Sequence, residues 1–334
     1  MAPRITIITP SFQQREYLEE CLLSVIEQDY AHVEHIVVDG GSTDGSKELL
    51  ERYSDKLTWW CSEPDHGQSD AINKGLARCT GDVVAWLNSD DMLLPGALQA
   101  VARVFEHAPG TIILEGVRLT LNTDGTRERM PRNDPADTDA LFIAPHVNQQ
   151  ATFFSTAAVK AVGGVDAALH FTMDLDLWWR VLFAYGTKGY TSIPEDLALF
   201  RLQPASKTMQ GSEGFVRETA ALLRAMANSC GHAALAELFR IGYGDAPRVR
   251  PSNAREDQAP TIERMILRFL VKWNGSIATT DQFKMLKRVN ELYGADIRLT
   301  DKVLVERWEH LRKGLVAPDW NTYRVGRKLG LWPA

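Results

Sequence analysis

No part of the chain offers the roughly 18–20 consecutive apolar residues that a spanning helix needs, although 45% of its 334 residues are hydrophobic. The first apolar run, Ile5–Ile8, ends at Thr9-Pro10 and is too short for a secretion signal, so a cytoplasmic placement is expected. Cysteine is scarce. Cys21, Cys61, Cys79 and Cys230 form no C-x-x-C pair and no zinc spacing, which argues against a disulfide framework and a zinc centre. They read as buried, reduced thiols. Neither G-x-G-x-x-G nor G-x-x-x-x-G-K-[ST] occurs, so dinucleotide and P-loop readings lack their phosphate cradle. A nucleophile elbow of the G-x-S-x-G type is missing as well.

Positive charge is short over most of the chain. Residues 251–334 hold 15 Lys and Arg against 10 Asp and Glu, whereas residues 1–250 hold 22 against 33. An acidic body argues against general nucleic-acid binding. It suits a site built on carboxylates with a cation.

The first half alternates strand and helix signals. Ile5–Thr9, His35–Asp39, Leu57–Cys61, Asp82–Leu87 and Thr111–Leu121 read as strands. Residues 15–29, a segment capped at Ser42-Thr43-Asp44 and running to about Tyr53, Ser69–Arg78, and a segment from Pro95 to about His107 read as helices. Strands separated by such helices predict parallel βαβ units, and ligands bind at the C-terminal ends of strands in open α/β sheets. The polar clusters fall at those ends: Thr9-Pro10-Ser11, Asp39-Gly40-Gly41, Glu63-Pro64-Asp65 and Ser89-Asp90-Asp91. Four in succession point to one shared site.

Residues 122–148 read as a polar excursion near that site. Asp174–Ala184 reads as helical and Ser192–Arg201 as extended. Beyond about 210 the pattern is helical at 214–229, 232–241, 260–272, 280–293 and 301–315, with Gly244–Pro260 as a long loop. Adjacent carboxylates at Asp90-Asp91 invite a divalent cation with oxygen ligands, or else cap the Pro95 helix. Asp39 could accept hydrogen bonds from a ligand, or close an Asx-turn. Asp174 and Asp176, two apart at a helix start, face different sides, and a carboxylate there gains from the helix dipole. Trp59, Trp60, Trp86, Trp178 and Trp179 read as core, and His66 as surface.

In order, these segments resemble the signatures of family 2 glycosyltransferases, inverting enzymes of GT-A fold, and look most like bacterial members that build surface polysaccharides. The resemblance covers roughly residues 4–208. It runs through Thr9-Pro10-Ser11-Phe12, Asp39–Gly45, Glu63-Pro64-Asp65 with Asp70–Gly75, Leu87–Asp91, Gly163–Asp166 and Asp174–Arg180. It implies an α/β GT-A domain over 1–208, with a mostly parallel, Rossmann-like sheet flanked by helices. The donor half would be about 1–121, the acceptor half about 122–208, and 209–334 a mainly helical C-terminal region.

The roles implied are specific. Pro10, Ser11 and Asp39 hold the nucleotide, Asp39 on the base. Asp65 contacts the nucleoside and Asp90 the ribose or diphosphate. Asp91 binds Mg²⁺ or Mn²⁺, Lys74 adds positive charge, and Asp174 is the general base. The donor is a nucleotide-diphosphate sugar, the acceptor a glycan or lipid-linked hydroxyl. Three positions depart from the family pattern: Asn88 for the first acid of the metal motif, Met173 for a Glu before the base, and Gln203 where His often stands.

A catalytically degenerate sugar-nucleotide-binding scaffold and a sugar-phosphate nucleotidyltransferase are the alternatives. The second would need a Gly-rich basic loop after the first strand, where Thr9–Gln13 stands. In the C-terminal region, Leu304, Trp308, Leu311 and Leu315 form an apolar stripe flanked by Arg307, Arg312 and Lys313. Such a helix could lie on an anionic membrane, although packing against protein is the commoner fate of such a stripe.

Overall fold

Strand and helix alternate from the first residues because short β-branched runs are broken by amphipathic segments. The computed structural model describes residues 2–203, 206–207, 211–244, 247–274, 278–299 and 301–331. The chain divides into two compact units. One comprises Met1–Leu141 with Pro145–Ser212, the other Phe142–Ala144 with Glu213–Ala334.

The first unit opens with β1 (Ile5–Ser11), α1 (Arg15–Ile26), β2 (Val33–Asp39), α2 (Ser46–Arg52), β3 (Trp59–Ser62), α3 (Gln68–Arg78) and β4 (Val83–Trp86). These strands pair in parallel, with β1 between β2 and β4 and with β3 outside β2. Every residue of β1 is buried, the pattern of a strand covered on both faces. From α1, Leu18, Cys21, Leu22 and Val25 are buried. On α3, Gly75 lets the helix approach Ile8 closely: a Cβ there would lie 2.5 Å from Ile8 Cγ2. The C-terminal ends of β1, β2, β3 and β4 therefore come to one edge of the sheet.

The unit continues with β5 (Met92–Leu93), α4 (Ala97–His107), β6 (Ile113–Leu121), β7 (Arg127–Arg129), α5 (Ala140–Ile143), β8 (Thr152–Ser155), α6 (Thr156–Ala161), α7 (Met173–Tyr185) and β9 (Tyr190–Arg201). The order across the sheet is β3-β2-β1-β4-β8-β6-β9-β5, with β7 also on β6. Here the expected mostly parallel sheet becomes mixed. Strand β8 inserts between β4 and β6 and runs antiparallel to both. Pairing is antiparallel between β5 and β9 and between β6 and β7, while α7 returns the chain so that β9 lies parallel to β6.

The 122–148 excursion is pinned rather than free. Glu115, fully buried on β6, accepts hydrogen bonds from Asn133 N (3.2 Å), Asn133 Nδ2 (2.9 Å), Asn148 Nδ2 (2.8 Å) and the Tyr190 hydroxyl. Burial raises its carboxyl above the ordinary range.

The second unit carries α8 (Glu213–Ser229), α9 (Ala233–Tyr243), α10 (Ala259–Trp273), α11 (Thr280–Tyr293), α12 (Lys302–Gly314) and α13 (Trp320–Lys328). The loop before α10 ends in a single helical turn at Glu256–Gln258. The α12 stripe is core: Leu304, Trp308, Leu311 and Leu315 are all buried, and Trp308 Nε1 donates to Gly294 O at 2.8 Å. This corrects the membrane-surface reading of that stripe. Among the described residues no helix is long and apolar enough to cross a membrane.

Candidate active site

The loops leaving β1 and β2 are laced together. Gln13 N donates to Ser42 Oγ (2.8 Å), Gln13 Nε2 to Thr43 Oγ1 (3.1 Å) and Arg15 N to Asp44 Oδ2 (2.8 Å). Gln13 adopts φ 53°, a left-handed conformation that non-glycine residues hold only when neighbours enforce it. Ser11, which pairs with Asp39 across the strands, is 4% exposed, and its hydroxyl has no hydrogen-bond partner among the described residues. Buried hydroxyls are normally satisfied, so this one fits a ligand's hydrogen bond. Phe12 follows it with its ring 58% exposed.

Asp39 is fully buried. Its oxygens accept from Ser42 Oγ (2.5 Å), Ser42 N (2.9 Å) and Ser62 Oγ (2.6 Å). The carboxylate thus binds the β2 loop to the end of β3, as an Asx-turn and more. Asp65 is half-buried and accepts from Gly67 N at 2.8 Å. It lies so close to the β2 loop that a Cβ on Gly40 would come within 2.9 Å of Asp65 Oδ2. Lys74 Nζ is held by Glu63 Oε1 (3.1 Å) and Asp70 Oδ2 (3.7 Å). Burial works to lower its pKa, but the Glu63 bond and the nearby acids raise it above the ordinary value.

The turn after β4 separates its two acids. Asp91 N bonds back to Asn88 O at 2.9 Å, which tucks the Asp91 side chain inward. Asp91 is fully buried. It accepts from Arg201 N (3.1 Å), Gln150 Nε2 (3.1 Å) and Asn88 Nδ2 (3.2 Å). Burial and the neighbouring Asp90 raise its carboxyl far above the usual range, with those three donors partly opposing. Asn88 suits this place because an amide donates to Asp91 while accepting from Gln68 Nε2 at 2.6 Å; a third carboxylate could not donate. Asp90 is half-buried and accepts from Gln203 Nε2 at 2.9 Å. Neither acid caps α4, whose N-cap is Gly96.

At the start of α7 the two acids part company. Asp176 is buried in an ion pair with Arg180 (2.6 Å), and Arg180 also donates to Val162 O and Gly164 O, each at 2.7 Å. It holds α7 to the preceding loop. Asp174 is half-buried and accepts from Leu175 N at 2.8 Å. Burial pushes its carboxyl up to about 6, while hydrogen bonds from Leu175 and its own backbone and the charges of Lys207 and Arg118 pull the other way. Arg118 is an electrostatic neighbour of both Asp91 and Asp174. Lys207 donates to Gln68 Oε1 (2.7 Å) and His170 O (2.5 Å). Arg118 thus links the α7 start electrostatically to the β4 turn.

Sequence reasoning passed over Gln68, Gln149, Gln150, Arg118, Arg201 and Lys207. Gln149 Nε2 donates to Trp86 O at 2.6 Å and, with Gln150, fastens the β4 turn. The one available signal was the amide run Asn148-Gln149-Gln150 ahead of a strand.

A divalent cation fits this cleft only in one form. Among the described residues no group of three or more His, Cys, Asp or Glu side chains is gathered into a cage. A magnesium-like ion needs only one or two carboxylates when substrate phosphates supply the rest. Asp90, with Gln203 beside it, meets that need.

Comparison with known proteins gives the family. The profile described as Glycosyl transferase family 2 matches residues 6–163. An uncharacterized glycosyltransferase of Mycobacterium tuberculosis is 31% identical over 215 residues, covering 60% of this chain and 81% of that protein. The putative teichuronic acid biosynthesis glycosyltransferase TuaG of Bacillus subtilis is 39% identical over 92 residues, 27% of this chain and 36% of its own. The crystal structure of S. aureus TarS 1-349 in complex with UDP-GlcNAc superposes with a TM-score of 0.62 at 17% identity, over 98% of this chain and 92% of that one. In sequence and in the α/β fold of its first unit, the chain belongs to glycosyltransferase family 2.

Proposed function

We propose that the first unit transfers a sugar from a nucleotide-diphosphate donor to an acceptor hydroxyl with inversion, in the assembly of a surface polysaccharide. The observation that carries this is Asp174, a half-buried carboxyl with a pKa of about 6 that shares Arg118 as an electrostatic neighbour with Asp91 of the β4 turn. TuaG, named for teichuronic acid biosynthesis, supports the polysaccharide setting, and TarS bound to UDP-GlcNAc supports the donor class.

Ser11 offers its unpartnered hydroxyl to the nucleotide, and Asp65 takes the nucleoside. Asp39 fixes the loop that shapes this pocket, and any contact it makes with the base uses its one remaining lone-pair direction. Lys74 orders the Asp65 loop through Glu63 and Pro64 O. Asp90, rather than the enclosed Asp91, is the ligand for Mg²⁺ or Mn²⁺, and Asp91 anchors the turn. The cation, when bound, offsets charge on the departing diphosphate. Asp174 accepts the acceptor hydroxyl's proton as that oxygen bonds to the anomeric carbon. The anomeric C–O bond breaks, its electron pair leaving with the diphosphate. A base opposite the leaving group gives one displacement and inversion.

Of the C-terminal helices, α13 is the better candidate for peripheral contact with an anionic membrane. Val325 and Leu329 are exposed there among Arg324, Arg327 and Lys328. Liposome flotation of the Val325→Asp/Leu329→Asp chain tests this, and unchanged flotation would sink it.

The transfer reading is tested by incubating sugar nucleotides with the chain and following donor loss by NMR. Slow hydrolysis or transfer that Asp174→Asn abolishes is expected, with the sugar released in the inverted configuration. Retained configuration, or binding without turnover, would favour a scaffold.

A further inference from the structure

Two buried polar atoms near the cleft have no part in the chemistry above. Arg118 Nε and Thr120 Oγ1 both lack a hydrogen-bond partner among the described residues. They stand two apart on β6, in the stretch where Arg118 pairs regularly with Ala198 and Thr120 with Phe200. Strand alternation puts them on one face. Thr120 is 6% exposed. The guanidinium of Arg118 lies 4.8 Å from the centre of the Phe200 ring.

Among the described residues Arg118 forms no ion pair within 4 Å of a carboxylate. Asp91 and Asp174 are its charged neighbours, but Asp91 accepts from Arg201 N, Gln150 and Asn88 and Asp174 from Leu175 N, and no hydrogen bond joins either of them to Arg118 Nε. A buried donor such as Arg118 Nε with no acceptor is costly unless something completes it. The ring partner of Arg118, Phe200, precedes Arg201, whose N donates to Asp91, so Arg118 stands beside the β4 turn, where donor sugar and attacking hydroxyl would meet.

We propose that Arg118, stacked on Phe200 and with Thr120 beside it, recognises the carboxylate of a uronosyl sugar at the transfer centre, carried by the donor or terminal on the acceptor. The Nε–H and adjacent Nη–H edge of a guanidinium forms a planar fork that matches a carboxylate. The Thr120 hydroxyl can donate to and accept from a neighbouring ring hydroxyl. A neutral sugar leaves the Nε–H without a hydrogen-bond acceptor, and polar groups left unpaired are a strong source of discrimination. This inference rests on the transferase reading of the cleft.

The test is calorimetric titration of the full chain with Mn²⁺. Free UDP, GDP, dTDP and CDP come first, followed by the neutral and uronate sugars of whichever base binds. A second arm adds glucose- or glucuronate-terminated oligosaccharides to the nucleotide-bound chain. In one arm the uronate should bind about 10- to 100-fold tighter than its neutral counterpart, the range of a charge-assisted bond. Arg118→Met should erase that preference with free nucleotide affinity unchanged, and Arg118→Lys should restore part of it. Equal binding of uronate and neutral sugars in both arms would overturn the proposal. So would an Arg118→Met chain that loses free nucleotide and both sugars by one common factor, the mark of a structural cation. Failure of every free nucleotide to bind would overturn the transferase reading, and this inference with it.

Discussion

Replacing Asp174 with Asn should abolish transfer and, at alkaline pH, stabilise the fold. Burial is the main reason the carboxyl stands at about 6 instead of 3.8. At about 1.4 kcal/mol per pH unit, that difference is worth about 3 kcal/mol. The folded pKa is the higher one, so the stability tied to the protonated form is fully present below about pH 3.8. It is lost as pH rises through about 6. At pH 8 the native protein therefore carries an ionised, poorly solvated carboxylate that Asn does not. The gain is at most about 3 kcal/mol, because solvent reaches part of the side chain. With about 2–4 °C per kcal/mol for a unit of this size, a rise of several degrees in Tm is expected. Calorimetry at pH 8 and pH 4 reads it: Asp174→Asn melts higher at pH 8 and level with the natural chain at pH 4. The same carboxyl must be ionised to act, so the natural chain's kcat/KM climbs through pH 6 and then levels. Turnover falls about 10²- to 10⁴-fold in the variant, the usual worth of a general base. A variant that melts lower at pH 8, or shifts equally at both pH values, would refute the burial argument; near-normal turnover would refute the role.

Four further outcomes are expected. Ser11→Ala should leave Tm within about 1 °C, since the hydroxyl has no partner among the described residues, while weakening nucleotide binding up to about tenfold; a large drop in Tm would show an internal partner. Gly40→Ala places a Cβ within 2.9 Å of Asp65 Oδ2, so the donor KM should rise more than kcat falls in steady-state kinetics, and unchanged KM would contradict the placement of Asp65. Arg180→Met removes the guanidinium paired with the buried Asp176 and should cost about 3–5 kcal/mol by denaturant unfolding; a loss below about 1 kcal/mol would mean the ion pair contributes little. Glu115→Leu leaves Asn133, Asn148 and Tyr190 without their shared acceptor, so proteolysis should open the 122–148 segment first, and a uniform digestion pattern would argue against Glu115 as its anchor.

The donor half was readable because its logic is local. Each of β1 to β4 is a short apolar run with polar residues at its end, and parallel βαβ pairing alone gathers those ends. Asp90 and Asp91 were readable as a pair but not apart. The bond from Asp91 N to Asn88 O decides which side chain turns inward, and no spacing rule foretells it. Arg118 and Gln150 were silent because β6, β8 and β9 meet only through long-range pairing, with a register shift between Glu115 and Arg118. The α12 stripe showed its period plainly, yet periodicity does not distinguish a membrane from the helices that cover it. Spacing put Asp176 and Asp174 on different sides of the helix, but not that Arg180, one turn away, claims Asp176 in a buried ion pair.

The central claim is that strand-end acids bind a nucleotide with a cation held at Asp90. It is met most directly by a thermal-shift titration of UDP, GDP, dTDP and CDP, each with Mn²⁺ and with EDTA, on the natural chain and on Asp90→Ala. Ligands that prefer the native state raise its melting temperature. One nucleotide should raise Tm with Mn²⁺, EDTA should remove most of the rise, and Asp90→Ala should remove the difference between the two. A Mn²⁺-dependent rise that persists in Asp90→Ala, or no rise with any nucleotide, would contradict it.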